Sequence, residues 1–218
     1  MKNKLYIFIA IIIVLILSLS GCNRHETTPP PSPTNEKEDV IYFPNNFEKN
    51  HIIDADIYDP SDNLAELYTK SHAIVIAKVI DSYDVNYNNR LDFTCSDIKV
   101  EKVLKGSLQA NQTINIEELG IRHEEYETSI AGVPLLKENM KVLLFLTEPS
   151  DVIQGFDAYG VVDCVTGKFF YDNNKTIHPS INFAVEQTLS LSDFKSPQNE
   201  VSFLKTIETL SAKQFADK

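Results

Sequence analysis

Leu91-Asp92-Phe93-Thr94-Cys95-Ser96-Asp97-Ile98-Lys99-Val100-Glu101-Lys102-Val103-Leu104 is the stretch on which the fold turns. Apolar and polar residues alternate with a period of two, which predicts one long strand. The parity shifts midway: Phe93 and Cys95 match one face, whereas Ile98 and Val100 fall on the other. A bulge near Ser96 reconciles the halves and bends the strand, as a barrel requires. Upstream, Ala73-Ile74-Val75-Ile76-Ala77-Lys78-Val79-Ile80 is β-branched and apolar, a buried strand. Asn86, Asn88 and Asn89 mark the turn between the two. Before them, Ser61 or Asp62 can cap a helix, with Asn63 and Glu66 placed like a capping box, and Leu64, Leu67, Tyr68 and Ser71 share one helical face. A short helix over about 62–71 follows.

Downstream, Lys105-Gly106 turns the chain and Thr113 to Glu117 alternates Ile114 and Ile116 inward. Leu119 to Gly132 is polar and Glu-rich, and reads as a long loop. Val133–Leu136 and Val142–Leu146 are strand-like. Tyr159–Val165, a turn at Thr166-Gly167, and Lys168–Tyr171 read as a hairpin. Val201, Leu204, Ile207 and Leu210 recur every three residues, a helical stripe over about 198–211. The fold class is therefore mainly β: a small OB-like closed β-barrel with a short N-terminal helix and a C-terminal helix.

Four segments carry a resemblance. Ser71 to Val79, Ile98 to Gly106, Gly132-Val133-Pro134-Leu135 and Val142 to Leu146 resemble the netrin-module and tissue-inhibitor-of-metalloprotease group of OB folds. Bacterial lipoproteins of unassigned function share this series. The resemblance covers about 64–171 and implies the fold far more than an activity. Those inhibitors chelate a protease zinc through an N-terminal cysteine within a disulfide-rich barrel. Here that cysteine is separated from the barrel by a polar spacer, so inhibition by that route does not carry over.

That cysteine is Cys22. It closes Leu19-Ser20-Gly21-Cys22 after a basic start (Lys2, Lys4) and an apolar run from Leu5 to Leu19. The arrangement resembles a bacterial lipoprotein signal, with Leu-Ser-Gly-Cys as its lipobox. The apolar run is shorter than the roughly twenty residues of a membrane-crossing helix. The resemblance implies a signal peptide at 1–21, lipid on Cys22 as the mature N-terminus, and a lipid-anchored position on the extracytoplasmic face of the cell membrane. An ordinary secretory signal ending in a chance cysteine is the alternative. Residues 22–39 carry Pro29, Pro30, Pro31 and Pro33 among polar residues, and read as a disordered, extended stalk. The barrel domain is 40–218.

The whole chain has a formal net charge of −11. Without Lys2 and Lys4 of the leader, 18 basic residues face 31 acidic ones, a net charge of −13. Phosphate backbones repel such a surface, which argues against nucleic acid as a partner. Cys95 and Cys164 are left for a disulfide or for two separate buried thiols, and sequence leaves both open.

No motif for chemistry stands out. His25, His51, His72, His123 and His178 lack ligand spacing for zinc, and His123-Glu124-Glu125 reads as a solvated loop. Asp54, Asp56, Asp59 and Asp62 suggest calcium. However, Asp59 stands where an EF-hand loop needs glycine and Ala65 where it needs glutamate, so capping and turns are favoured. No catalytic residue, metal ligand or cofactor is assigned. The expectation is a membrane-anchored, non-catalytic binding module. Its partner is the membrane through Cys22 and an extracytoplasmic protein or small ligand met by the 119–132 segment. The alternative is an extracytoplasmic hydrolase with dispersed residues in the barrel mouth.

Overall fold

The computed structural model describes residues 42–44, 51–53, 61–87, 91–150, 157–183 and 196–216. All of them belong to the unit Glu38–Lys218. The leader, the stalk, Cys22, His25 and the aspartates 54, 56 and 59 lie outside the described residues.

The fold is mainly β. Among the described residues ten strands are formed: β1 (His51–Ile53), β2 (Ala73–Tyr87), β3 (Leu91–Lys105), β4 (Thr113–Arg122), β5 (Glu127–Ile130), β6 (Lys141–Leu146), β7 (Ala158–Gly160), β8 (Lys168–Tyr171), β9 (Thr176–Pro179) and β10 (Gln198–Asn199). Two helices accompany them, α1 (Leu64–Lys70) and α2 (Glu200–Ala216). The ladders join one sheet in the order β1-β5-β4-β3-β2-β6-β8-β9-β10, with β7 on β4 off that path. The path is not a closed ring.

β2 is the spine. Its first half lies between two antiparallel partners, β3 and β6, running from Ala73↔Leu146 to Lys78↔Lys141 on the β6 side. Both its faces are buried. Ile74 and Ile76 pack with Leu143 and Phe145 into one core, and Ala73, Val75 and Ala77 pack with Val142 and Leu144 into another. That is why these two strands read as unbroken apolar runs. The first core is roofed by α1 through Leu64, Leu67 and Tyr68, and by α2 through Phe203 and Ile207. α1 starts where Asn63 Oδ1 accepts from Glu66 N–H at 3.0 Å, while Glu66 accepts from Asp62 N–H at 2.9 Å. On α2 the buried residues are Phe203 and Ile207; Val201, expected in the stripe, is 74% exposed.

The bend lies elsewhere than Ser96. β3 pairs with β4 in unbroken register from Phe93↔Leu119 to Lys99↔Thr113. Thr94, Ser96, Ile98 and Val100 form one continuous buried face. The polar members are satisfied there: Thr94 Oγ1 donates to Asp84 and to the Gly120 carbonyl, and Ser96 Oγ meets Ser82 Oγ at 2.9 Å. Inward-facing hydroxyls thus mimic a parity break. The register shifts instead fall at Ile80 on β2 and around Glu101 and Leu104 on β3.

Two further expectations are corrected. Leu119–Gly132 is no open loop, because β4 continues to Arg122 and β5 returns alongside it with Gly120↔Ser129 to Arg122↔Glu127 paired. The 159–171 segment is not a hairpin, either. β7 runs parallel to β4, whereas β8 inserts between β6 and β9. Phe169 and Phe170 bury opposite faces in the two cores, which an edge hairpin would leave wet. β1, lying parallel to β5, had no counterpart in the sequence reading.

Candidate functional site

A cavity of about 200 Å³ opens where the β4–β5 hairpin, the segment Val133–Leu136 and the turn Val161–Lys168 meet. Phe93, Leu119, Ile130, Val133, Leu135 and Val165 supply its apolar wall. Glu117, Glu118, Ser129, Cys164 and Lys168 supply its polar groups.

Each wall is positioned by a local cause. Strand parity carries Ile114 and Ile116 inward and therefore also Glu118. Gly120, at φ +137°, lets β4 turn onto β5; a Cβ there would stand 2.2 Å from the Thr128 carbonyl oxygen. The turn before β8 holds Asp163 and Cys164 at φ 54° and 61°, a left-handed pair that swings the thiol outward. Asp163 fixes this turn by accepting from Ser61 N–H at 2.8 Å and from Thr166 Oγ1 at 3.0 Å.

Behind the cavity lies a polar clamp. Lys168, only 1% exposed, donates from Nζ to Glu118 Oε1 at 2.5 Å and to the Pro134 carbonyl at 2.7 Å. The other Glu118 oxygen accepts from Leu136 N–H at 2.8 Å, and Glu127 accepts from Leu135 N–H at 3.2 Å. Arg122 Nη1 and Ser82 Oγ both donate to the Leu136 carbonyl, at 2.9 and 2.8 Å. The Val-Pro-Leu-Leu segment is thus tied to the sheet by five side chains. A buried pair of this kind is tolerable only because its remaining donors and acceptors are filled.

The charges respond to this packing. Burial pushes the Glu127 carboxyl up, against the Leu135 N–H, Lys168 and Arg122, with Glu118 adding to the rise. Burial also pushes Glu117 up. Cys164 is exposed, yet protein packed on its cavity side disfavours the thiolate, as do the Asp163 and Glu118 carboxylates. Cys95, buried on β3, is pushed up to about 11 by burial and then by Glu117, Asp97 and Asp84.

Cys95 and Cys164 are both thiols in this structure, one inside the sheet and one at the cavity. Among the described residues the histidines do not converge. His123 and His51 stack on either side of Tyr126, with ring centroids 4.3 and 4.2 Å from it. His178 meets Asp172 at 3.1 Å on β9, and His72 is exposed beside β2. Among the described residues no group of three His, Cys, Asp or Glu side chains is placed to hold a metal ion. Glu118, Glu127 and Lys168 were missed by sequence reasoning; the parity signal at Glu118 was the one cue on offer. Comparison of the chain with protein-family models, with curated proteins and with solved structures gave no match.

Proposed function

We propose that this chain is an extracytoplasmic lipoprotein, held to the membrane by lipid on Cys22, whose β-domain is a non-catalytic binding module. The cavity beside the β4–β5 hairpin is its ligand site. The observation that carries this reading is the cavity itself, a preformed and mostly apolar space with a few polar groups at its wall, as small-molecule sites have. A cavity of about 150 Å³ is enough to hold benzene. The OB-type arrangement is part of the proposal. It is supported by the parallel pairing of β4 with β7 and by the Leu146↔Val161 bridge, which lead from β4 round towards β6. The hydrolase alternative is less well served. Glu118 and Lys168 are committed to each other and to backbone partners, Glu127 accepts from Leu135 N–H, no histidine is among the described lining residues, and burial and nearby carboxylates disfavour the Cys164 thiolate.

Two measurements test the two halves. Labelled palmitate should enter the wild-type protein and not the Cys22→Ser variant; equal incorporation removes the anchor. Toluene or indole added to the labelled protein should shift NMR signals of Phe93, Leu119, Ile130 and Val165, and Ile130→Phe should abolish those shifts. Shifts confined to other residues, or none at all, would reject the cavity as a binding site.

A further inference from the structure

Within the cavity, hydrogen-bonding capacity is distributed unevenly. Glu118 and Lys168 pair with one another, and each also holds a backbone partner, the Leu136 N–H and the Pro134 carbonyl. Glu127, just behind, is held by Leu135, and Asp163, next to Cys164, is held by Ser61 and Thr166. Two lining groups differ. The Ser129 hydroxyl, on a residue 1% exposed, has no hydrogen-bond partner, and neither does Glu117 Oε1. A buried hydroxyl or carboxylate oxygen left alone costs about 1–3 kcal/mol or more, so these two atoms are places where a ligand gains what the protein forgoes.

The sign of the missing partner follows from charge. With Glu118 cancelled by Lys168, Glu117 is the cavity's unbalanced formal charge. Lysine is already used, and the mature chain is strongly acidic, so a second anion is repelled and a cation attracted. The remaining wall, Phe93, Leu119, Ile130 and Val165 among it, has only apolar surface to offer.

Resting on the cavity-binding reading above, we propose that the site takes a small ammonium compound, a primary or secondary amine on an apolar body of about six to ten non-hydrogen atoms. Its N–H groups are received by Glu117 Oε1, and the Ser129 hydroxyl supplies the ligand's other polar contact. Burial raises the Glu117 carboxyl, and an ammonium beside it favours the carboxylate again. Cys164, exposed at the same cavity, is a built-in reporter of occupancy.

The test uses the full mature chain in neutral detergent and three matched probes: 2-phenylethylamine, 2-phenylethanol and 3-phenylpropionate. Titration calorimetry should give at least a tenfold tighter Kd for the amine than for the alcohol, with the carboxylate weakest. Alkylation of Cys164 by iodoacetamide should slow as the amine saturates. Glu117→Gln should bring the amine and alcohol within about twofold of each other, and Glu117→Asp, which keeps the charge on a shorter arm, should retain part of the preference. An alcohol that binds as tightly as the amine, or an amine preference that survives Glu117→Gln, overturns the assignment while leaving the cavity a binding site. Failure of all three probes to bind or to protect Cys164 overturns the cavity reading itself.

Discussion

Lys168 and Glu118 sit side by side with almost no access to water, so neither charge can fall back on solvent when the other is removed. Lys168→Met should cost about 3–5 kcal/mol, whereas the double change with Glu118→Leu should recover most of that loss. Urea unfolding of the two single variants and the double variant measures the coupling; additive losses would show that the pair acts independently. Glu127 gives the opposite kind of residue. Burial holds its carboxyl above the usual range, so the native state binds the proton more firmly than the unfolded chain does. The stability tied to that proton is complete below the unfolded pKa and fades as pH rises through the folded one. Glu127→Gln, which still offers an oxygen to Leu135, should escape the fade. Its Tm relative to the parent should therefore climb as pH rises above the ordinary carboxylate range of about 4, and a constant difference would refute the assignment. At this scale the sequence was least legible. Lys168 looks like a surface residue in a string, and at Glu118 the alternation of Ile114 and Ile116 was the cue that its carboxylate faces inward.

At the scale of elements, the β4–β5 hairpin depends on one residue. Gly120 combines a positive φ with a backbone carbonyl where any Cβ would go. Gly120→Ala should cost about 3 kcal/mol and detach β5, seen as lost NMR protection at Ser129 and Thr128 while β2 and β6 keep theirs. An unchanged Tm would show that the strain is absorbed elsewhere. Elements were read best where burial is two-sided: the apolar runs at 73–80 and 142–146 are β2 and β6, enclosed by the two cores. The capped helix was legible for a local reason too, since Asn63 and Glu66 satisfy one helix end by themselves. The long strand at 91–104 was read as β3, but its bulge was misplaced because Thr94 and Ser96 point inward; reading failed at 119–132, where Gly120 and Glu127 break the alternation that marks a hairpin.

For the whole molecule, the path between strands depends on long-range pairing that leaves no local trace. β7 lies parallel to β4 after 35 intervening residues and β5 parallel to β1 after 73, and neither β7 nor β1 has a periodic signature. The mainly β class survived these errors because it rests on the composition and patterning of the longer strands, β2, β3, β4 and β6. The cavity did not, because its walls come from three separate stretches that only the assembled sheet brings together.

β2 also predicts how this domain opens. Its residues Ala73 to Lys78 bond to neighbours on both edges, while from Asp81 to Tyr87 the described ladders join it to β3 alone. One continuous strand should therefore contain both the slowest and some of the fastest deuterium uptake in the domain, with the boundary near the bulge at Ile80. Mass spectrometry of peptides from either side of that residue should show a graded fraying that starts at the hairpin tip and halts there. Uniform uptake along the strand would mean that the hairpin and the double core open as one unit.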